Sequence, residues 1–358
     1  MAGVRVLHLV GSPTNQLSFE LSVLYASDCL AALCQPKKYE FLIALVSPDG
    51  SWRFPHALNG AAIKAAQPLT IHAAIAQLAH AELDVALPQM FCLAGMTTYR
   101  ALLETLGIAY LGNRPFQMAL AADKAKAKAV VQAAGVRVPL GELLFRGQQP
   151  TMLAPAVVKP NHSDNSDGVS LVRHPGEYAA ALNVAFSFGD TVLIEEYVPL
   201  GREVRCGIVV QDGALRHLPL EEYFVDSLSR PVRTRADKLQ RGSDNQLMLA
   251  AKQANQSWMV DVDDPITPAV WRAAAACHVA LGCEQYSLFD FRIDPDGVPW
   301  FLEAGLYCSY SPKSVISTMM KAAGTPLKEF FDQSISQLLG TPSPLQSVPK
   351  PLASFAFL

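Results

Sequence analysis

The chain has 358 residues, of which half are hydrophobic and 17% charged, so it can bury a substantial core and is too long for one simple domain. A formal net charge of −3 excludes the broad basic field that attracts nucleic acid or an anionic membrane. We therefore expect small-molecule partners, with no nucleic acid and no membrane among them.

The cysteines and the first residues indicate a cytoplasmic protein. Seven cysteines are scattered along the chain with no C-x-x-C pair, which is typical of reduced core thiols. The amino-terminal apolar run reaches Gly11 too soon for a signal peptide, and no uninterrupted apolar stretch is long enough to span a membrane.

The amino-terminal third opens as strand, glycine turn and helix. Residues 4–10 predict a buried parallel strand, Gly11 to Thr14 the turn, and the apolar positions from Phe19 to Ala26 a helix. Further strands are predicted at 41–46 and 85–87, with helices at 72–81 and 97–106. Residues 1–112 therefore form a predicted α/β domain.

Two further domains and a tail follow. A helix at 123–134 ends at Gly135, and strands at 136–139, 156–159 and 191–198 complete a central domain over residues 113–199. Residues 200–340 form a third domain, with a polar stretch at 226–264, a helix at 268–281, and strands 286–293 and 298–302 that meet across a turn. The proline-rich residues 341–358 are a tail. The fold class is α/β (α+β).

A lysine followed by a small polar segment indicates phosphate binding. Lys159 ends a strand, and residues 160–168 form a flap that closes at Gly168. Such a flap can surround phosphates with backbone N–H groups while the lysine adds a point charge. A surface hairpin with a solvated lysine is the alternative, and His162 in the flap is either near the reaction or solvated.

Two acids on neighbouring strands indicate a metal site. Side chains alternate along a strand, so Leu288, Asp290 and Arg292 share one face. If the strands pair across the turn, Asp290 meets Glu303, and such paired carboxylates suit Mg²⁺ bound to phosphate. Two solvated acids on a surface hairpin are the alternative, disfavoured by the apolar strands around them.

The strand at 192–198 ends in acids and an aromatic and continues into a polar hinge. An apolar strand that opens into such a hinge suits adenine, with a carboxylate for the ribose. Solvent-facing sheets also have glutamate-rich strand ends, so a structural role is the alternative. The residues concerned are Glu195, Glu196, Tyr197, Val198 and Glu203.

The order of these motifs resembles the ATP-grasp superfamily, in particular its D-alanine–D-alanine ligase branch. The resemblance covers roughly residues 4–335 and implies three domains, with ATP held between the central and carboxyl-terminal domains. It implies that Lys124 and Lys159 bind phosphates, that residues 195–198 meet adenine and that Glu203 holds the ribose. It further implies that Lys238 meets the γ-phosphate and that Asp290 and Glu303 ligate Mg²⁺.

The sequence departs from that family at the amino acid site. Dipeptide ligases carry an asparagine where Gly305 stands and, two residues before the metal aspartate, a carboxylate-binding arginine where Leu288 stands. Their paired flap serines correspond to Asn165 and Ser166, and a glutamate that meets the first alanine corresponds to Ser18.

The amino-terminal pattern, at residues 7–12, 21–26 and Cys29, is similar to the ligases of mycosporine-like amino acid biosynthesis. This resemblance implies that ATP and Mg²⁺ drive the joining of serine or threonine to mycosporine-glycine, and it leaves a homodimer open. The first substrate is expected near Ser12, Thr14 and Ser18, and the amino acid at Ser309, Lys313 and Ser314. Arg292 is expected to orient metal or phosphate.

The sequence alone leaves three alternatives open. The chain is a D-alanine–D-alanine ligase, another carboxylate–amine ligase that forms an acyl phosphate, or a nucleotide sensor that has lost turnover, as the glycine at position 305 suggests. Because position 288 is a leucine, a substrate carboxylate would have to be held by another cation. The candidates are Arg292, Arg202, Arg205, Arg233, Arg235 and Lys313.

Overall fold

The computed structural model describes residues 3–163, 166–233, 239–241, 247–249 and 256–340. Its amino-terminal sheet has the order β3-β2-β1-β4, with β1, β2 and β4 parallel. The strands are β1 (Val4–Gly11), β2 (Tyr39–Val46), β3 (Trp52–Arg53) and β4 (Val85–Gln89). The helices here are α1 (Gln16–Leu33), α2 (Gly60–Ala65), α3 (Ile71–Ala79), α4 (Leu93–Met96) and α5 (Thr98–Thr105).

The turn after β1 requires glycine. Gly11 has φ +101°, and a Cβ there would lie 2.0 Å from the carbonyl oxygen of Val46. The Ser22 hydroxyl accepts a hydrogen bond from the Gly11 N–H and donates one to the Gln89 carbonyl. The ends of β1 and β4 are thereby fixed to helix α1.

The central region contains an antiparallel sheet of order β5-β8-β6-β7. Helix α8 packs on it and forms an apolar core with Val158, Val192 and Ile194. The elements are α6 (Pro115–Ala122), α7 (Lys124–Ala133), β5 (Gly141–Phe145), β6 (Ala156–Pro160), β7 (Ser170–Val172), α8 (Tyr178–Phe186) and β8 (Thr191–Glu196).

The carboxyl-terminal sheet has the order β14-β11-β9-β15-β16, and β10 also pairs with β9. The strands are β9 (Arg202–Gln211), β10 (Ala214–His217), β11 (Glu221–Tyr223), β14 (Ser257–Met259), β15 (Tyr286–Ile293) and β16 (Pro299–Gly305). The short β12 (Leu239–Arg241) and β13 (Leu247–Leu249) pair with each other. The helices are α9 (Thr267–Ala280), α10 (Val315–Ala322) and α11 (Leu327–Gly340).

The cores do not coincide with the three predicted segments. Helices α6 and α7 precede the central sheet in sequence, but their Met118 and Val131 pack with Phe289 and Phe301 of the carboxyl-terminal sheet. The amino-terminal sheet also shares a core with carboxyl-terminal elements, through Val6, Leu87, Tyr310 and Phe331. The domain boundaries at 112, 199 and 340 stay predictions.

The strand expected at 136–139 is wrong, because the first central strand begins at Gly141. Val136 and Val138 are buried in the carboxyl-terminal core, and the Arg137 carbonyl accepts a hydrogen bond from the Phe301 N–H. The valines therefore serve packing between domains. The predicted antiparallel pairing of strands 286–293 and 298–302 is confirmed.

Among the helices of the described residues, we find none with the length and apolar character needed to cross a membrane.

Candidate active site

The acids proposed for the metal lie in one row of the carboxyl-terminal sheet. Asp290 of β15 pairs directly with Glu303 of β16 and, on its other side, with Arg205 of β9. Arg205 binds the Asp290 carboxylate through two nitrogens, including Nη2 at 2.7 Å from Oδ2. Glu303 is partly exposed, and its carboxylate lies 3.9 Å from the Lys124 ammonium.

The two acids fit one Mg²⁺ ion. Both are hard oxygen donors on adjacent strands and both line the same cavity. No group of three His, Cys, Asp or Glu side chains forms a metal site within the described residues, so phosphate oxygens and water would complete the coordination. At the position of the missing asparagine, a Cβ on Gly305 would meet nothing closer than 3.9 Å.

We therefore expect Gly305→Asn to lower the Mg²⁺ concentration that gives half-maximal turnover by roughly tenfold, because it adds an oxygen ligand where there is room for one. The measurement is phosphate release during a Mg²⁺ titration. Gly305→Leu adds similar bulk without oxygen and serves as the control. An Asn variant that behaves like the Leu variant would contradict the expectation.

Three buried charges lie at the opposite side of the cavity, and two of them, Lys159 and Glu195, line it. Glu195 on β8 lies 2.6 Å from the Lys159 ammonium and 2.9 Å from that of Lys128. Burial opposes ionisation of Glu195, but the charges of Lys128 and Lys159 outweigh it and keep its pKa below the usual value. Burial lowers the pKa of Lys128 to about 8, and the charge of Lys159 adds to this effect.

Lys128 was missed by the sequence analysis. Its ammonium donates to the Phe301 carbonyl at 2.9 Å and lies 2.9 Å from the Glu195 carboxylate, and the residue is one helical turn after Lys124 on α7. The i,i+4 spacing of the two lysines places them on one face of the helix, and it could have indicated from the sequence that they act together. Glu195 thus holds two lysines in place, in contrast to the adenine contact expected for it.

The flap is anchored by the first turn of α7. Lys124 donates from its ammonium to the Ser163 carbonyl, and Asp123 accepts from the Asn161 amide and lies 3.4 Å from the His162 ring. Ser166 has φ +58°, a left-handed conformation. Asn165 lies outside the described residues.

The hinge beyond β8 surrounds Glu203. Its carboxylate lies 3.2 Å from Arg292 and 3.8 Å from Arg233. Arg292 also donates to the carbonyls of Val198 and Pro231, so in this structure it orients the hinge instead of the metal acids. The guanidinium of Arg233 lies 3.5 Å from the centre of the Tyr223 ring.

Main-chain groups of the expected adenine contact are partly engaged. The N–H of Glu196 donates to the Leu140 carbonyl and that of Tyr197 to the Pro155 carbonyl. The carbonyl of Val198 accepts from Arg292. Glu196 and Val198 still line the cavity, whereas Tyr197 lies under the guanidinium of Arg292.

A single cavity between the central and carboxyl-terminal sheets therefore unites most of the predicted nucleotide residues. The predicted residues that line it are Lys124, Lys159, Ser166, Glu195, Glu196, Val198, Glu203, Asp290, Arg292 and Glu303. Lys238 lies outside the described residues.

The predicted substrate residues lie away from this cavity, on the amino-terminal turn and on the loop after β16. Ser12 is buried and accepts from the Thr14 N–H, Thr14 is exposed, and the Ser18 N–H donates to Asn15 as part of the α1 cap. Lys313 reaches Asp28 of α1 at 3.5 Å, which brings the loop and the helix together.

A buried chain of polar side chains from the amino-terminal sheet holds the loop of residues 306–314 in place. The Gln89 amide donates to the Ser309 carbonyl, and its oxygen contacts the His8 ring at 2.8 Å. Burial lowers the pKa of His8 to about 4, so the ring is neutral near pH 7. Ser314 is buried beside Cys308, with its oxygen 3.7 Å from Sγ.

The fold and this cavity define the class: an ATP-grasp ligase. The sequence model of the family described as "D-ala D-ala ligase C-terminus" matches residues 142–336. A D-alanine–D-alanine ligase of Citrifermentans bemidjiense is 29% identical over 234 residues, which cover 64% of this chain and 70% of that protein.

Solved structures agree in fold. The D-alanine–D-alanine ligase from Coxiella burnetii has a TM-score of 0.76 at 18% identity and covers 97% of this chain and 96% of its own. A Bacillus anthracis D-alanine–D-alanine ligase complexed with ATP has a TM-score of 0.68 at 20% identity, with coverage of 94% and 98%.

The chain therefore belongs to the D-alanine–D-alanine ligase family. It is an ATP-grasp enzyme that uses ATP and Mg²⁺, forms a C–N bond and releases ADP and phosphate.

Proposed function

We propose that this ligase phosphorylates the ring carbonyl oxygen of mycosporine-glycine and joins that ring carbon to the amine of serine or threonine. The observation that carries the proposal is the pair Leu288 and Gly305. These two departures from the dipeptide ligases lie directly opposite each other on β15 and β16. Leu288 is buried in an apolar core with Cys308 and Tyr310, so the position that carries the carboxylate-binding arginine in dipeptide ligases carries no charge here.

The chemistry needs positioning and charge neutralisation more than a side-chain nucleophile. The carbonyl oxygen attacks the γ-phosphorus of ATP, the bond to the bridging oxygen breaks and ADP leaves. The amine then adds to the activated carbon, loses a proton and expels phosphate as the C–O bond breaks.

Each wall of the cavity has a part in this reaction. Lys124 and Lys159 would neutralise phosphate charge, and Lys128 and Glu195 would hold Lys159 in place. Mg²⁺, which Asp290 and Glu303 would bind, supplies further charge neutralisation at the phosphates. Ser166 and the flap would exclude water, Glu203 would hold the ribose, and we assign the γ-phosphate contact to Lys238.

An aromatic wall favours a planar first substrate over alanine. Tyr25 of α1 lies 5.5 Å from Phe91 between ring centres, and Phe91 lies 5.5 Å from Tyr307, just beyond β16. All three side chains are half-buried. A conjugated six-membered ring can pack on such a surface, whereas a methyl side chain gains little from it. We assign the polar contacts of this substrate to Ser12, Thr14 and Ser18.

D-alanine–D-alanine ligation is the second candidate, and the names of the relatives favour it. The Citrifermentans bemidjiense protein and the two solved structures above carry that name. This candidate needs a cation for the second alanine's carboxylate at a position other than 288.

The deciding experiment incubates the purified chain with ATP, Mg²⁺ and one of two substrate sets. With mycosporine-glycine and L-serine or L-threonine we expect ADP, phosphate and a product that absorbs at longer ultraviolet wavelength. With D-alanine alone we expect no dipeptide. Efficient D-alanyl-D-alanine formation without reaction of the mycosporine would replace this proposal by the second candidate, and no phosphate release with any set would favour a nucleotide sensor.

A further inference from the structure

In the sheet that carries the metal acids, a row of uncharged residues on neighbouring strands lies beside a row of charged ones on the same face. Gly207, Leu288 and Gly305 lie side by side on β9, β15 and β16. The next row consists of Arg205, Asp290 and Glu303 on the same strands, with Glu221 of β11 opposite Arg205. Arg205 is thus the diagonal neighbour of Leu288, and residues in that relation lie about 7–8 Å apart, within reach of an arginine side chain.

Arg205 has a guanidinium nitrogen that the described residues leave without a hydrogen-bond partner, and the unpartnered Nε of Arg292 is buried. Arg233 and Arg292 both lie against Glu203, and Arg292 also donates to two carbonyls. Arg205 binds Asp290 through Nε and Nη2, whereas its Nη1 makes no hydrogen bond to any part of the chain that the structure describes. Its side chain remains 15% exposed.

Arg205 lies between the metal acid Asp290 on β15 and the strand β11, which carries Glu221 and Tyr223. The guanidinium lies 5.2 Å from the centre of the Tyr223 ring, within cation–π distance. Burial raises the pKa of the Tyr25 phenol in α1 to about 12, and the charge of Arg205 acts against that rise. A planar guanidinium with free N–H groups is the side chain best suited to a carboxylate.

We propose that Arg205 binds the carboxylate of the amino acid substrate, in the role for which dipeptide ligases use the arginine at the position of Leu288. The cation has moved to the neighbouring strand, and the vacated position has become part of the apolar core. This inference rests on the proposed function only in requiring an amino acid acceptor, and it does not depend on which first substrate is used.

The test compares each acceptor with its carboxamide, for example L-serine with L-serinamide, in the wild-type chain and in Arg205→Met. The acceptor is whichever of L-serine, L-threonine and D-alanine supports phosphate release. The wild-type chain should prefer the carboxylate by about 100-fold in kcat/KM, and the variant should lose most of that preference, since it lacks the charge partner. Arg205 also binds Asp290, so its loss is expected to lower turnover with both acceptors alike, and the ratio of carboxylate to carboxamide is the readout that isolates the substrate contact.

Arg216→Met is the matched control, since Arg216 donates to Thr325 and to the Ala323 carbonyl at the far end of the same sheet. It should keep the full preference. If Arg205→Met does not fold, as seen by thermal melting, Arg205→Lys takes its place and should retain an intermediate preference. An Arg205 variant with the wild-type ratio of carboxylate to carboxamide would overturn the assignment.

If no substrate set supports turnover, the proposed function has failed but Arg205 can still be judged. Calorimetric titration of L-serine and L-serinamide into the chain saturated with Mg²⁺ and a non-hydrolysable ATP analogue then replaces kinetics. Tighter binding of L-serine by the wild-type chain than by Arg205→Met supports the assignment. The assignment is overturned if the wild-type chain and Arg205→Met bind L-serine equally well, or if neither binds it.

Discussion

Glu303→Ala is expected to abolish Mg²⁺-dependent turnover, with kcat lower by roughly 1,000-fold, while the protein remains folded. Glu303 is partly exposed, lines the cavity and lies beside Lys124, so its removal takes away a metal-binding oxygen with little loss of packing. The measurements are phosphate release across a Mg²⁺ titration and a thermal melt of the same preparation.

Asp296→Ala is the control for that variant, because Asp296 is an exposed acid in the turn of the same β15–β16 hairpin. It should leave kcat unchanged. Full activity of Glu303→Ala at ordinary Mg²⁺ concentrations would show the metal assignment to be wrong. A variant that merely unfolds would indicate a structural acid.

Lys159→Ala is expected to weaken ATP binding or the transition state by about 1.5–3 kcal/mol, the usual loss for one charge-assisted contact, which corresponds to roughly 10- to 150-fold in kcat/KM for ATP. The lysine ends β6 where the flap begins, and Glu195 fixes its ammonium against the cavity. Steady-state kinetics with varied ATP measure the effect.

Lys126→Ala is the matched control for charge, since this lysine of α7 is largely exposed and pairs only with Asp123 at 2.8 Å among its described ion-pair partners. We expect it to retain wild-type kinetics. If Lys159→Ala matched it in both KM for ATP and turnover, Lys159 would not be a phosphate ligand.

Much of the fold and part of the site could be predicted because they depend on local periodicity. Alternation along β15 and β16 placed Asp290 and Glu303 on one face, and the turn between the strands fixed their pairing. The strand before the flap was predictable in the same way, because Lys159 follows a short apolar run bounded by polar residues.

What could not be predicted depends on contacts between distant segments. Arg205 meets Asp290 across strands 85 residues apart, and a sequence does not state which strands become neighbours. Lys128 lies in an alanine- and lysine-rich helix that resembles a solvated one, yet tertiary packing buries it against Phe301 and Glu195. Val136 and Val138 are β-branched residues typical of strands, but they lie in a connecting segment. Their burial in the carboxyl-terminal core takes precedence over their local strand propensity.

The buried chain of His8, Gln89 and Ser309 has a consequence for building hybrid enzymes. It crosses between the amino-terminal sheet and the loop after β16, and the apolar core around Val6, Leu87 and Phe331 crosses with it. A chimera joined near residue 112 would cut through both and leave mismatched halves of one core. Transplanting specificity between relatives is therefore better done by exchanging single side chains around the aromatic wall than by exchanging domains.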